Sequence, residues 1–213
     1  MSGKQALIAA LAATITILSA SAEAQDYKSE LTGILGATFI SDQGVHGLNT
    51  PTVNPFVRSG HGITFEINYA RVLLASPVFS VSAELPVVFN LDEDLGSGGD
   101  VVPPGYRQVF VTPSARLNLF PETAVSPWVS LGAGLAHFSE SSTLIYAGTN
   151  PGGSSTSGVL QGGIGLDVRV CRRFSIRGQG RDFWSGTPDL PLADTGKTRQ
   201  HNYFVGAGVV YHF

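Results

Sequence analysis

Three shortages stand out in this chain: it has one cysteine, few charges, and no long apolar run. The lone Cys171 excludes an internal disulfide framework. A membrane-spanning helix needs about 18 or more consecutive apolar residues, and no stretch approaches that length. Charged residues make up 14% of the sequence, well below the roughly one quarter of an ordinary soluble domain. The net charge is only −3 and no basic cluster occurs, so nucleic acid is not an expected partner. Glycine, by contrast, is plentiful at 26 residues, and 43% of the chain is hydrophobic. A length of 213 residues is that of one domain. A sequence that is mildly apolar throughout and strongly apolar nowhere points to alternating strands.

The first residues read as an address. Lys4 supplies a positive charge, Ala6 to Ala20 form a short apolar stretch, and Ser21-Ala22-Glu23-Ala24 offers small residues suited to a signal peptidase. Residues 1–24 are therefore expected to be a signal peptide, cleaved before Gln25, and residues 25–213 a single barrel domain. No cysteine follows the leader, so a lipid anchor is not expected.

Beyond Gln25 the apolar residues recur with period two, the signature of strands with two unlike faces. Strands are expected near 29–41, 60–73, 77–91, 107–119, 127–139, 158–170, 174–184 and 201–213. Short connections near 74–76, 120–126 and 171–173 alternate with long ones near 42–59, 92–106, 140–157 and 185–200. The long ones are rich in Gly, Ser, Asn, Asp and Pro. This asymmetry predicts an all-β fold: an antiparallel transmembrane β-barrel of about eight strands, with short periplasmic turns and long extracellular loops. Pro86 and Pro113, inside strands, suggest local bulges.

The strand faces separate cleanly. In the second, Ile63, Phe65, Ile67 and Tyr69 oppose Thr64, Glu66 and Asn68; in the third, Val81, Ala83, Leu85, Val87 and Phe89 oppose Ser80, Ser82, Glu84 and Asn90. The polar faces hold Ser, Thr, Asn, Gln and Gly with isolated charges, rather than the Lys and Glu of a solubilising surface. They are expected to line a narrow lumen in which Arg116, Arg169, Arg177 and Arg181 meet Glu66, Glu84 and Asp167. Buried charges must be paired, and eight strands enclose just enough space for side chains to fill. Gly132, Gly134, Gly163 and Gly165 would relieve crowding beside the arginines. Tyr69, Trp128, Tyr203 and Tyr211 suit interfacial aromatic girdles.

The last strand presents Tyr203, Val205, Ala207, Val209, Tyr211 and Phe213 on one face and ends in an aromatic residue. This resembles the C-terminal assembly signal read by barrel-insertion machinery. The chain as a whole resembles the small outer-membrane barrel superfamily that includes the transmembrane domain of OmpA and the OmpX-type and OmpW-type proteins. The resemblance implies a cell outer-membrane location, with outer-membrane lipid and lipopolysaccharide as surroundings and a possible extracellular ligand at the loops. It leaves function open among surface-interaction or structural barrels, narrow pores and lipid-modifying enzymes.

One short motif bears on the last of these. His137-Phe138-Ser139 resembles the His-x-Ser pair of lipid A 3-O-deacylase barrels, and an esterase needs a base beside its hydroxyl and an acid to orient that base. That family continues with Asn where this chain has Glu140, and supplies an acid about a dozen residues later where this chain has Gly, Ser and Thr. Ordinary strand-end residues are the simpler reading of His137, Ser139 and Glu140, and a non-enzymatic role is expected. The histidines show no metal-ligand spacing, the acidic run Asp92-Glu93-Asp94 reads as a solvated loop, and no cofactor is expected.

Overall fold

In a computed structural model, described for residues 28–40, 43–44, 56–59, 62–97, 105–140, 154–186 and 199–213, every regular element is a strand. They are β1 (Ser29–Ile40), β2 (Gln43–Gly44), β3 (Phe56–Ser59), β4 (Gly62–Ala75), β5 (Phe79–Ser97), β6 (Gly105–Val111), β7 (Ser114–Leu119), β8 (Val125–Glu140), β9 (Ser154–Arg169), β10 (Phe174–Gly186) and β11 (Arg199–His212). The signal peptide, the histidines His46 and His61, and most of the long connections lie outside the described residues.

The pairing runs antiparallel from β1 to β4, β5, the β6–β7 stave, β8, β9, β10 and β11. β11 then returns to β1, with Leu31 opposite Tyr211 and Phe39 opposite Tyr203. Eight staves therefore form a closed barrel with no free edge along its wall, which leaves no row of unpaired backbone groups. β2 and β3 extend one end, where Val57 pairs with Ser97. Because β5 continues to Ser97, Asp92-Glu93-Asp94 lies in a strand rather than in the expected loop.

The prolines act differently from expectation. The fourth stave is interrupted at Thr112-Pro113, yet Val111 opposite Leu135 and Ser114 opposite Gly132 keep one register across the gap. Proline removes a donor without adding a residue, so its carbonyl still accepts from Ala133 N at 3.2 Å, and Thr112 N still reaches Pro86 O at 3.2 Å. The register shifts instead at Val72/Leu74 and at Asn90/Glu93.

One rim gathers the short turns and both ends of the described wall. Ser29 and Phe213 exchange backbone hydrogen bonds of 3.0 and 2.9 Å, while Phe120 N donates to Val78 O and His212 N to Arg173 O. The opposite rim carries the long connections. Along the wall, burial alternates residue by residue, and in the inverse of a soluble protein. Glu66, Arg116 and Arg177 are wholly buried inside, whereas Leu131 is 75% and Ile63 69% exposed outside. So continuous an apolar exterior is unsustainable in water. Hydrocarbon is its natural solvent.

Candidate functional site: a lumen closed in two layers

Interior polar residues of β1, β4, β5, β7, β9 and β10 converge on the half of the lumen nearer the short turns. Arg116 of β7 pairs with Glu30 of β1 and lies 3.6 Å from Glu84 of β5. Arg177 of β10 forks onto Asp167 of β9, with Nε–Oδ1 and Nη2–Oδ2 both 2.6 Å, and reaches Glu30 at 3.4 Å. Arg181, two inward positions further up β10, meets Glu84 at 3.0 Å and Glu66 at 3.2 Å. Asn68 Nδ2 donates to Glu84, and Gln179 Nε2 donates to Glu66. Each guanidinium thus spans two carboxylates on different staves, and a bidentate fork fixes angle as well as distance.

Trp128 sits in the middle of this layer, 2% exposed. The guanidinium carbons of Arg177, Arg181 and Arg116 lie 5.2, 5.4 and 5.8 Å from its ring centroid, within cation–π range. Its Nε1 donates to Asp167 at 3.2 Å. Gly165 makes the ring's position possible, since a Cβ there would overlap the indole. Trp128 is therefore a lumen residue and not part of an interfacial girdle. Its even-numbered parity, shared with Ser126 and Ser130, was the signal in the sequence.

Of the residues read as lumen charges, Glu66, Glu84, Arg116, Asp167, Arg177 and Arg181 come together and Arg169 does not. Arg169 is exposed at the rim, where Nη2 donates to Pro121 O at 2.6 Å. β9 ends at Arg169, so its parity no longer directs it into the barrel. Glu30 completes the layer in its place. Four carboxylates (Glu30, Glu66, Glu84, Asp167) thus face three guanidiniums, and His212 Nδ1 stands 3.7 Å from Glu30.

Nearer the long connections the interior changes character. Ile34, Val88, Phe110, Phe138, Val159, Phe183 and Phe204 form a buried apolar cluster. Phe110 stacks on Phe183, with centroids 4.5 Å apart and planes at 19°, and meets Phe138 edge-on at 6.1 Å. These are preferred aromatic geometries. Along β10 the order is Arg177, Gln179, Arg181, Phe183, and along β1 Glu30, Thr32, Ile34, so the apolar layer lies above the charged one. Asn202 Nδ2 caps it with hydrogen bonds to Phe183 O and Ser185 Oγ, both 3.2 Å.

On the exterior, His137 is exposed and hydrogen-bonded through Nδ1 to Thr156 Oγ1 at 2.9 Å. Ser139 has the same parity, and Arg107 is opposite it in register. β8 stays in its ladder through Glu140, so position 140 has the opposite parity to 137 and 139. Among the described residues, the partner of the His137 ring is the Thr156 hydroxyl. On β11, Tyr203, Val205 and Val209 are exposed outward, and Phe213 just beyond it is exposed too. At the short-turn end Tyr211 contacts Phe174 and Phe213, and Tyr69 contacts Phe213, which makes an aromatic band.

A closed eight-stave barrel with hydrocarbon outside and paired charges inside defines a small membrane-spanning barrel of the outer-membrane type. Solved structures bear out the fold. Neisserial surface protein A superposes with a TM-score of 0.56 at 14% identity, covering 87% of this chain and 97% of that one. The outer membrane protein OprG from Pseudomonas aeruginosa gives 0.53 at 12% identity, covering 87% and 95%. The N-terminal β-barrel domain of Pseudomonas aeruginosa OprF gives 0.50 at 14%, covering 89% and 100%. No family model matches the sequence, and no curated protein matches it.

Proposed function

We propose that this chain is a non-conducting outer-membrane barrel whose work is structural or is done at the surface by the long connections. The observation that carries this reading is the double closure of the lumen. A hydrated ion entering from the long-connection side meets a packed layer of phenylalanine and aliphatic side chains, whose rings cannot replace its water. Beneath it, guanidiniums and carboxylates are tied to one another across the barrel. In this reading residues 1–24 are removed as a leader, and Tyr203, Val205, Val209, Tyr211 and Phe213 serve as the signal for insertion. Liposomes containing the protein are expected to swell in small sugars or amino acids no faster than empty ones. Faster swelling, graded by solute size, would make it a pore.

A second reading, an esterase acting on lipid A, has one favouring observation: His137 and Ser139 share the outward parity near the long-connection rim. Against it, His137 is oriented by Thr156 in place of an acid. Mass spectrometry of lipid A from cells expressing the wild type, Ser139→Ala or neither is expected to give one spectrum. An acyl chain lost in the wild type alone would make His137 and Ser139 catalytic.

A further inference from the structure

Among the described residues, the outer wall carries an ionisable pair near its long-connection end. Asp182 of β10 lies opposite Gly162 of β9 and Tyr203 of β11. Its outward neighbours Ile164, Tyr203 and Val205 are themselves exposed. The Asp182 carboxylate meets His201 Nδ1 at 2.9 and 3.2 Å, and both side chains are partly exposed. The His201 ring stacks on Trp184 on one side (6.0 Å, 15°) and on Tyr203 on the other (5.7 Å, 9°). A hydrogen-bonded polar pair set among exposed apolar and aromatic side chains on this wall is a candidate site for a ligand with both apolar and polar parts.

Beside this pair runs a shallow groove of about 300 Å³, floored by Gly162 and Gly180 and walled by Ile164, Tyr203 and Val205. Packing does not demand these glycines. A Cβ at neighbouring Gly178 would meet nothing within 4 Å, and at Gly162 or Gly180 the nearest atom would be 4.0 Å away. Larger residues would fit the barrel and fill the groove.

We propose that the groove and the Asp182–His201 pair bind one acyl chain of an outer-leaflet glycolipid, with a hydroxyl or ester oxygen of the lipid at His201. The groove's lining is almost wholly apolar, which suits a hydrocarbon chain. Trp184 and Tyr203 have the amphipathic character that seats side chains at the membrane interface. They lie on the half of the wall nearer the long connections, which is the lipopolysaccharide leaflet if those connections face outward. With the Asp182 carboxylate beside the ring, the pair offers a hydrogen bond to a neutral oxygen rather than a net positive charge for phosphate. With Nδ1 committed to Asp182, Nε2 is the ring's remaining polar atom for the ligand.

The inference rests on the orientation in the membrane and is independent of whether the lumen is closed. The full chain, extracted in mild detergent with its native lipid, would be examined by native mass spectrometry. The wild type is expected to retain one lipopolysaccharide-type glycolipid. Gly33→Leu, which adds the same bulk at an outward glycine of β1 with nothing within 4 Å, is expected to retain it equally. Gly180→Leu is expected to lower retention about tenfold, and Asp182→Asn to lower it less. Heat-modifiable gel mobility reports that each variant is folded, and Gly162→Leu fills the same groove from β9 if Gly180→Leu does not assemble. Equal retention by wild type and the groove-filled variant would overturn the proposal, as would phospholipid in place of glycolipid. Conductance of the same samples reports separately on the lumen.

Discussion

The two layers of the lumen close the same space by opposite physics. In the charged layer, attraction is strong and directional, and every member answers to two or more partners: Arg116 to Glu30 and Glu84, Arg181 to Glu84 and Glu66. In the apolar layer, Phe110, Phe138, Phe183 and Phe204 fill space by shape, and no single contact is essential. The first kind of packing tolerates almost no single change, because removing one partner strands a buried charge. The second tolerates substitutions that keep volume. The difference teaches where specificity sits: the charged layer fixes which staves face each other, while the apolar layer seals what they enclose.

That contrast can be broken or sharpened by substitution. The largest effect is expected from Arg177→Met, which leaves Asp167 and Glu30 without their shared cation. A loss of about 3–5 kcal/mol is expected from denaturant unfolding in lipid vesicles. A loss below about 1 kcal/mol would show that the layer is already water-filled and screened. Gly165→Val forces a side chain against Trp128, and overpacking of this kind is expected to destabilise by about 1–3 kcal/mol in the same measurement. Ile34→Leu, in the apolar layer, is expected to cost under about 1.5 kcal/mol. An equal loss there and at Arg177 would erase the distinction between the layers. The smallest effect is expected from the double replacement Arg177→Met with Asp167→Leu. It removes one charge of each sign together and should return stability to within about 1 kcal/mol of wild type. Failure to recover would mean that Glu30 depends on Arg177 as much as Asp167 does.

How far the sequence foretold this differs between wall and interior. The wall was legible because its information is local. Period two along β4 or β5 assigns each residue a face, and the turns between staves announce themselves by composition. Glu30 and Trp128 could have been placed by parity, but β1 has no clearly polar face and tryptophan type suggested an interface. Arg169 has inward parity and still lies outside, because a strand's last residue is free to turn to the rim. The phenylalanine layer was not legible at all. Phe110, Phe138, Phe183 and Phe204 each occur singly among polar inward positions, and only the stagger between neighbouring staves brings them level. Stagger is a property of the closed barrel, set by register between segments far apart in the chain. The Asp182–His201 pair was hidden for the same reason: β10 and β11 bring residues 19 positions apart onto one patch of the outer wall.

The most direct test of the closed lumen is single-channel recording of the wild-type protein in planar bilayers. No open-pore current is expected at moderate voltage, either before or after the lipid is exchanged. Steady, ohmic current steps in the wild type would show that ions pass both layers, and the structural reading would give way to a pore.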